Sequence, residues 1–124
     1  MLADKQGIQW MMSESALELY QAKLMVLHAA YLIENQLEFR NEVSMCKHHV
    51  ANTLWKVIDR AVQVHGALGY STDTDLPDML KHARSARLVD GADEVHLSRI
   101  AQFVIDAVRE TGTVRRATGG EALL

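Results

Sequence analysis

One cysteine, Cys46, and one proline, Pro77, stand in a chain of 124 residues. A lone thiol excludes an internal disulfide and fits a reducing compartment. Glycine is also sparse and gathered in a few places: Gly66 and Gly69 bracket one turn, Gly91 marks another, and Gly112, Gly119 and Gly120 lie near the C-terminus. Long stretches without breakers favour helix over strand. No apolar run approaches the ~18 residues needed to span a bilayer. The opening MLADKQGIQ lacks the charged, apolar and small-residue regions of a secretory signal, so a cytoplasmic location is expected. A formal net charge of -3 and a pI near 6.0 lack the basic stripe of a nucleic-acid binder. Metal-ligand spacing is absent too. His28, His48, His49, His65, His82 and His96 are scattered, with no HxxxH, HExxH or CxxC pattern, and they read as surface or interface histidines rather than zinc ligands.

What is present is the make-up of one soluble globular domain: 48% hydrophobic and 23% charged residues in a length that allows a single core. From Asp4 to Gln36 the residues Ile8, Met12, Ser15, Leu19, Ala22, Val26, Ala29 and Ile33 recur at steps of three and four, one face of a helix. Trp10, Leu17, Leu24 and Tyr31 step by seven on a second face, so the helix is expected to be contacted from more than one side. Such a helix would reach roughly 50 Å, long enough for one end to project towards a partner. A turn is expected over 37–42. A second helix follows from Asn41 to Val64, with Val43, Cys46, Val50, Thr53, Val57, Ala61 and Val64 inward and Lys47, Lys56, Asp59 and Arg60 outward. The stretch 65–75 reads as a loop. Asp75 is placed to cap a third helix with Pro77 in its first turn, and a fourth helix starts near Asp90 to Asp93 and ends before Gly112. The expected architecture is all-α, an antiparallel up-and-down four-helix bundle over residues 1–112 with a flexible tail over 113–124.

Few residues point to chemistry by pattern alone. Cys46 on an apolar face is a small core residue rather than a nucleophile, and Trp10 with Met11 and Met12 reads as core rather than as a cofactor pocket. In QVHGALGYS (63–71), Gly66 fits a left-handed helix terminator. Clustered glycines equally let backbone N–H groups approach a phosphate, and the two readings stand level. In RLVDGADEVHLS (87–98), Asp90 or Asp93 is placed to cap the fourth helix.

Together these segments carry a resemblance. QVHGALGYS, the later HARSARLVDGADEVHLSRIA and the opening LADKQGIQWM closely resemble, in order, three segments of the C-terminal helical domain of acyl-CoA dehydrogenases, covering residues 2 to about 110. The family's counterparts are a segment entering a long helix, a QxxGGxGY turn, and a DAR-like helix leading to an EGTxEI-type segment. The resemblance implies an FAD-dependent oxidoreductase of fatty acid metabolism that converts an acyl-CoA thioester to the trans-2-enoyl-CoA. A carboxylate takes the α-proton while the β-hydrogen leaves as hydride to the flavin. It implies Asp90 as that base, with Asp90 and Gly91 at the substrate and the backbone N–H of residue 90 polarising the thioester carbonyl. It implies Gln63, Gly66 and Ala67 at the FAD of a neighbouring subunit, Gln6 near the adenosine end, and Ala92 and Glu94 beside the cofactor. A homo-oligomer joined through helical faces follows.

The chain departs from the family pattern at named positions. Asp stands for Glu at position 90, Ala67 for the second glycine of GG, Ala92 for Thr, and His82 for the Asp of DAR. An Asp at position 90 within DGADEVHLS resembles a subgroup of the family related to long or branched acyl-CoA substrates. In some relatives the base lies on another helix. The family's N-terminal helical domain and β domain have no counterpart here, so the isolated chain is expected neither to hold FAD tightly nor to turn over substrate. The alternative expectation is an inactive helical module retained for oligomerisation or protein interaction.

Overall fold

The computed structural model describes residues 1–114. Within them every regular element is helical: α1 (Gln6–Glu34), α2 (Arg40–His65), α3 (Ala67–Tyr70), α4 (Leu76–Ser85) and α5 (Asp93–Thr111), after a 3-10 turn over Leu2–Asp4. The all-α class expected from the sequence is the one adopted. One element is added, since α3 is a single helical turn inside the segment read as loop. Beyond Val114 the expected tail lies outside the described residues.

α1 holds together over 29 residues because its only weak helix former of note is Gly7, at the second position. It stops at Glu34, two residues earlier than the periodicity suggests. Gln36 turns left-handed (φ 55°), so that Leu37 N–H reaches the Leu32 carbonyl at 3.0 Å and Gln36 N–H reaches that of Ile33 at 3.1 Å. This is the paired terminator usually built on glycine. With glutamine in its place nothing in the residue pattern marks it. The turn is therefore 35–39, and α2 begins at Arg40.

The seam between α1 and α2 is narrow. Ile8, Met11, Ser15, Glu18, Ala22, Met25, Ala29 and Leu32, alternately three and four apart, are the α1 positions withdrawn from solvent along this line. The expected stripe shares Ile8, Ser15, Ala22 and Ala29 with it, but Met12, Leu19, Val26 and Ile33 are exposed. The spacing placed the face one residue off at every second step, because the seam takes Met11, Glu18, Met25 and Leu32 where the stripe took their neighbours. Glu18 sits in it to meet α2. Arg60 pairs with Glu18, with Glu14 at 3.2 Å and with the Ser15 hydroxyl at 3.3 Å, while Lys56 reaches Glu18 at 3.2 Å. The outward placement of Arg60 is thus corrected, and so is that of Lys47, which is half-buried.

Both corrections have one cause: α2 is surrounded. α1, α4 and α5 all pack on it, and α3 seats on its last turn. There Gly69 lies so close that a Cβ would stand 2.7 Å from the Val62 carbonyl oxygen. The buried apolar core is Ala22, Ala29, Leu32, Ala51, Ile58, Ala83 and Ala107. Alanine dominates, so the helix backbones approach closely while the larger apolar side chains remain outside.

Candidate active site at the turn between α4 and α5

α4 opens at Leu76 with Pro77 tolerated in its first turn, although the Asp75 side chain makes no capping bond. After Ser85 the chain winds through residues 86–92 into α5. Ala92 is the residue at the N-cap, in extended backbone (φ -62°, ψ 157°), with no side-chain bond. Neither Asp90 nor Asp93 performs the expected capping. Asp93 is the first helical residue, where the helix dipole favours its charge, and its carboxylate turns inward.

That inward turn builds the floor of the site. Asp93 is 5% exposed. Its Oδ2 accepts from Arg87 Nε at 2.7 Å and from Asn52 Nδ2 at 3.2 Å, and His48 Nδ1 stands 3.5 Å from Oδ1, an ion-pair distance without hydrogen-bond alignment. Burial pushes the Asp93 carboxyl up, but the Arg87 and Asn52 hydrogen bonds and the charges of Arg87 and His48 together outweigh it, and the carboxyl lies below its ordinary value.

Above this floor the turn is tied at its carbonyls. The Lys47 ammonium donates to the Ala86 carbonyl at 2.7 Å and to the Gly91 carbonyl at 2.8 Å. His96, 7% exposed, meets the Asp90 carbonyl with Nε2 at 3.2 Å; since a carbonyl only accepts, Nε2 carries the proton. Asp93 N–H closes the turn on the Arg87 carbonyl at 3.2 Å. Gly91 has φ 96°, and a Cβ there would stand 2.7 Å from His96 Nε2, so glycine is required twice over. Asp90 itself is left-handed (φ 54°), a conformation that Asp tolerates better than most residues. Its side chain is exposed and makes no hydrogen bond or ion pair among the described residues, and its N–H also lacks a partner there.

Asp90 lines an open groove of about 360 Å³ together with Val26 and Ala29 of α1, Val43, Cys46, Lys47, Val50, Ala51 and Leu54 of α2, and Ala86 and Val89 of the turn. Apart from Asp90 and Lys47 its walls are apolar or weakly polar. Burial in this wall raises the Cys46 thiol above its ordinary value, which keeps it protonated and inert.

The remaining expected site residues fall in two places. Gly91, Ala92 and Glu94 accompany Asp90 at the entry to α5. Gln63, Gly66 and Ala67 lie at the α2–α3 junction, and the antiparallel pairing that sets Ser15 on Arg60 brings the start of α1, with Gln6, towards that same end. From Lys47 to Gln63 is about 24 Å along α2, so the two groups of residues lie apart within one chain. At the second, Gly66 takes φ 60° and ψ -138°, a region open to glycine alone, and nothing lies within 4 Å of its Cβ position. The terminator reading of Gly66 is met, though not in the left-handed helical form, and Gly69 is explained by packing. Gln6 and Gln63 are both exposed, and the Gly66 backbone is uncovered.

The sequence singled out none of Lys47, His48, Asn52, Arg87 or His96 for the site. A signal existed for two site residues: extending the line of half-buried Ile100 and Phe103 and buried Ala107 on α5 backwards lands on His96 and Asp93, polar residues on a core stripe. The others gave none, because their partners lie 35 or more residues away in sequence (Lys47 to Ala86, 39) or fall in the turn itself.

Residues 1–105 match the family described as "Acyl-CoA dehydrogenase, C-terminal domain". The chain belongs to the acyl-CoA dehydrogenase family. It is 38% identical over 112 residues to a probable acyl-CoA dehydrogenase, FadE2, of Mycobacterium tuberculosis, covering 89% of this chain and 28% of that protein. Over 93 residues it is 39% identical to acyl-CoA dehydrogenase family member 11 of Rattus norvegicus, covering 73% of this chain and 12% of the rat protein. A chain from a solved structure described as an electron transferring flavoprotein of Acidaminococcus fermentans superposes with a TM-score of 0.74 at 26% identity, over 76% of this chain and 25% of that one. This acyl-CoA dehydrogenase domain thus spans less than a third of each of these three chains. No helix among its described residues is long and apolar enough to cross a membrane.

Proposed function

We propose that the chain serves as the C-terminal helical part of an FAD-dependent acyl-CoA dehydrogenase, with Asp90 as the base and the adjoining groove as a seat for part of the acyl chain. The observation that carries this reading is the coincidence of one unpaired carboxylate with an apolar groove, at a turn whose Ala86, Asp90 and Gly91 carbonyls are each held by a hydrogen bond. An acyl chain along Val26, Val50 and Val89 buries apolar surface, at about 25 cal/mol per Å², and brings the thioester end towards Asp90. The unpartnered Asp90 N–H is a donor for the thioester carbonyl, which lowers the cost of removing the neighbouring proton. The Asp90 carboxylate then takes the α-proton. A bound FAD supplies the hydride acceptor for the β-hydrogen.

Ala92 and Glu94, at the entry to α5, face the same transfer, whereas Gln6, Gln63, Gly66 and Ala67 hold the polar part of a different flavin. The separation of about 24 Å along α2 favours a neighbouring copy as the owner of that flavin. Asp at position 90 is one methylene shorter than the family's Glu, and its left-handed backbone sets where the carboxylate starts from.

In the flavin-loaded enzyme that contains this domain, Asp90→Asn is expected to cut dehydrogenation by about 10²–10⁴-fold, with the thermal melt little changed. Undiminished turnover in that variant would move the base elsewhere. A second reading, a module kept for association, is favoured by the apolar flanks of α1 (Trp10 is 62% and Leu17 64% exposed). It predicts that even the unaltered, flavin-loaded enzyme is inert.

A further inference from the structure

We propose that Lys47 and His96 are the positioning residues of Asp90, fixing its backbone so that a short carboxylate reaches the groove at one place. The proposal rests on the reading of Asp90 as the base. Lys47 ties the two ends of the peptide span that contains Asp90, through the carbonyls of Ala86 and Gly91, and His96 holds the Asp90 carbonyl itself. Three hydrogen bonds from α2 and α5 thus grip the main chain around a residue whose side chain is left ungripped. The left-handed conformation is tolerated by Asp but still costs energy relative to the right-handed regions, and the turn would otherwise relax out of it.

The arrangement follows from the length of the side chain. Aspartate has no spare methylene with which to correct a misplaced backbone, so the accuracy of proton transfer has to come from the main chain. A displacement of about 1 Å at a reacting group can cost about 10²-fold in rate. Lys47 lines the groove as well as tying the turn, so the same ammonium couples the groove wall on α2 to the residue doing the chemistry. Gly91 completes the device: its missing Cβ is what lets the His96 ring come up against the turn.

Lys47→Met, Lys47→Arg and His96→Phe test this in two settings. In the 124-residue chain, amide exchange at Asp93, whose N–H closes the turn, is expected to accelerate at least about 10-fold in Lys47→Met, while amides near Ala22 and Ile58 stay protected. Lys47→Arg, which keeps two donors, restores most of that protection. In the flavin-loaded enzyme, Lys47→Met and His96→Phe are both expected to lose about 10–100-fold in kcat; His96→Phe, outside the groove lining, does so with KM little altered, a split that loss of stability alone does not produce. Unchanged Asp93 exchange in both variants overturns the pinning. Full kcat in both, in an enzyme that Asp90→Asn inactivates, overturns the positioning role and leaves the base in place. Turnover retained by Asp90→Asn removes the base instead, while the exchange result still decides whether the turn is held.

Discussion

At the scale of single residues, the turn between α4 and α5 is held by contacts that substitution should expose one at a time. Gly91→Ala places a methyl group against the His96 ring and forces an L-residue into φ 96°, and is expected to cost about 1–3 kcal/mol. Chemical denaturation of the two proteins measures it. Asp93 sets an acid limit. Its carboxyl lies below the ordinary value in the folded state, so the stability it contributes is complete above the unfolded value of about 4 and drains away as pH falls through the lower folded value. Asp93→Asn is therefore expected to destabilise the domain near neutrality and to flatten the acid side of a melting-temperature profile. Parallel slopes for the two proteins below about pH 4 would contradict this. Of these residues, Asp90 and Gly91 were legible through resemblance to a known motif. The floor of Arg87, Asn52 and His48 was not, because Asn52 and His48 lie far from Asp93 in sequence and Arg87, six residues from it, looks like ordinary surface polarity.

At the scale of elements, the α1–α2 hairpin shows where periodicity succeeds and where it misleads. Four helices were legible with ends within a few residues, because proline and glycine are sparse and fall at element boundaries. The buried face of α1 was half wrong, since the stripe ran through Met12, Leu19 and Val26, which are exposed, where the seam runs through Met11, Glu18 and Met25. Glu18 in the seam carries a specific consequence. The Arg60 hydrogen bond, chiefly, holds its carboxyl low, against burial and with help from Lys56. Glu18→Gln is expected to destabilise the hairpin by about 1–2 kcal/mol, because Arg60 is left in the seam with a weaker partner. At the hairpin's turn, Gln36→Gly relieves a left-handed non-glycine residue and is expected to stabilise by up to about 1 kcal/mol. Both are read from the midpoint of denaturant unfolding, and a stabilised Glu18→Gln or a destabilised Gln36→Gly would count against this account of the hairpin.

At the scale of the molecule, the distribution of side-chain size is inverted relative to a self-sufficient globule. Alanines fill the interior, while Trp10, Leu17, Leu24 and Tyr31 form a row on the outside of α1 and Leu97, Ile105 and Val108 lie outside on α5. Contiguous apolar surface of this kind marks a contact face, and the chain is expected to self-associate, as sedimentation at increasing concentration would show. Leu17→Glu with Leu24→Glu should shift it towards monomer, and a clean monomer for the unaltered chain at high concentration would contradict the expectation. The role of Asp90 is tested by isolating the proton step from the hydride step. An acyl-CoA incubated in D₂O with the flavin-loaded enzyme is expected to exchange its α-hydrogens for deuterium, followed by proton NMR. Asp90→Asn should slow that exchange by about 10²-fold or more, and exchange at the unaltered rate would contradict the assignment of Asp90 as the base.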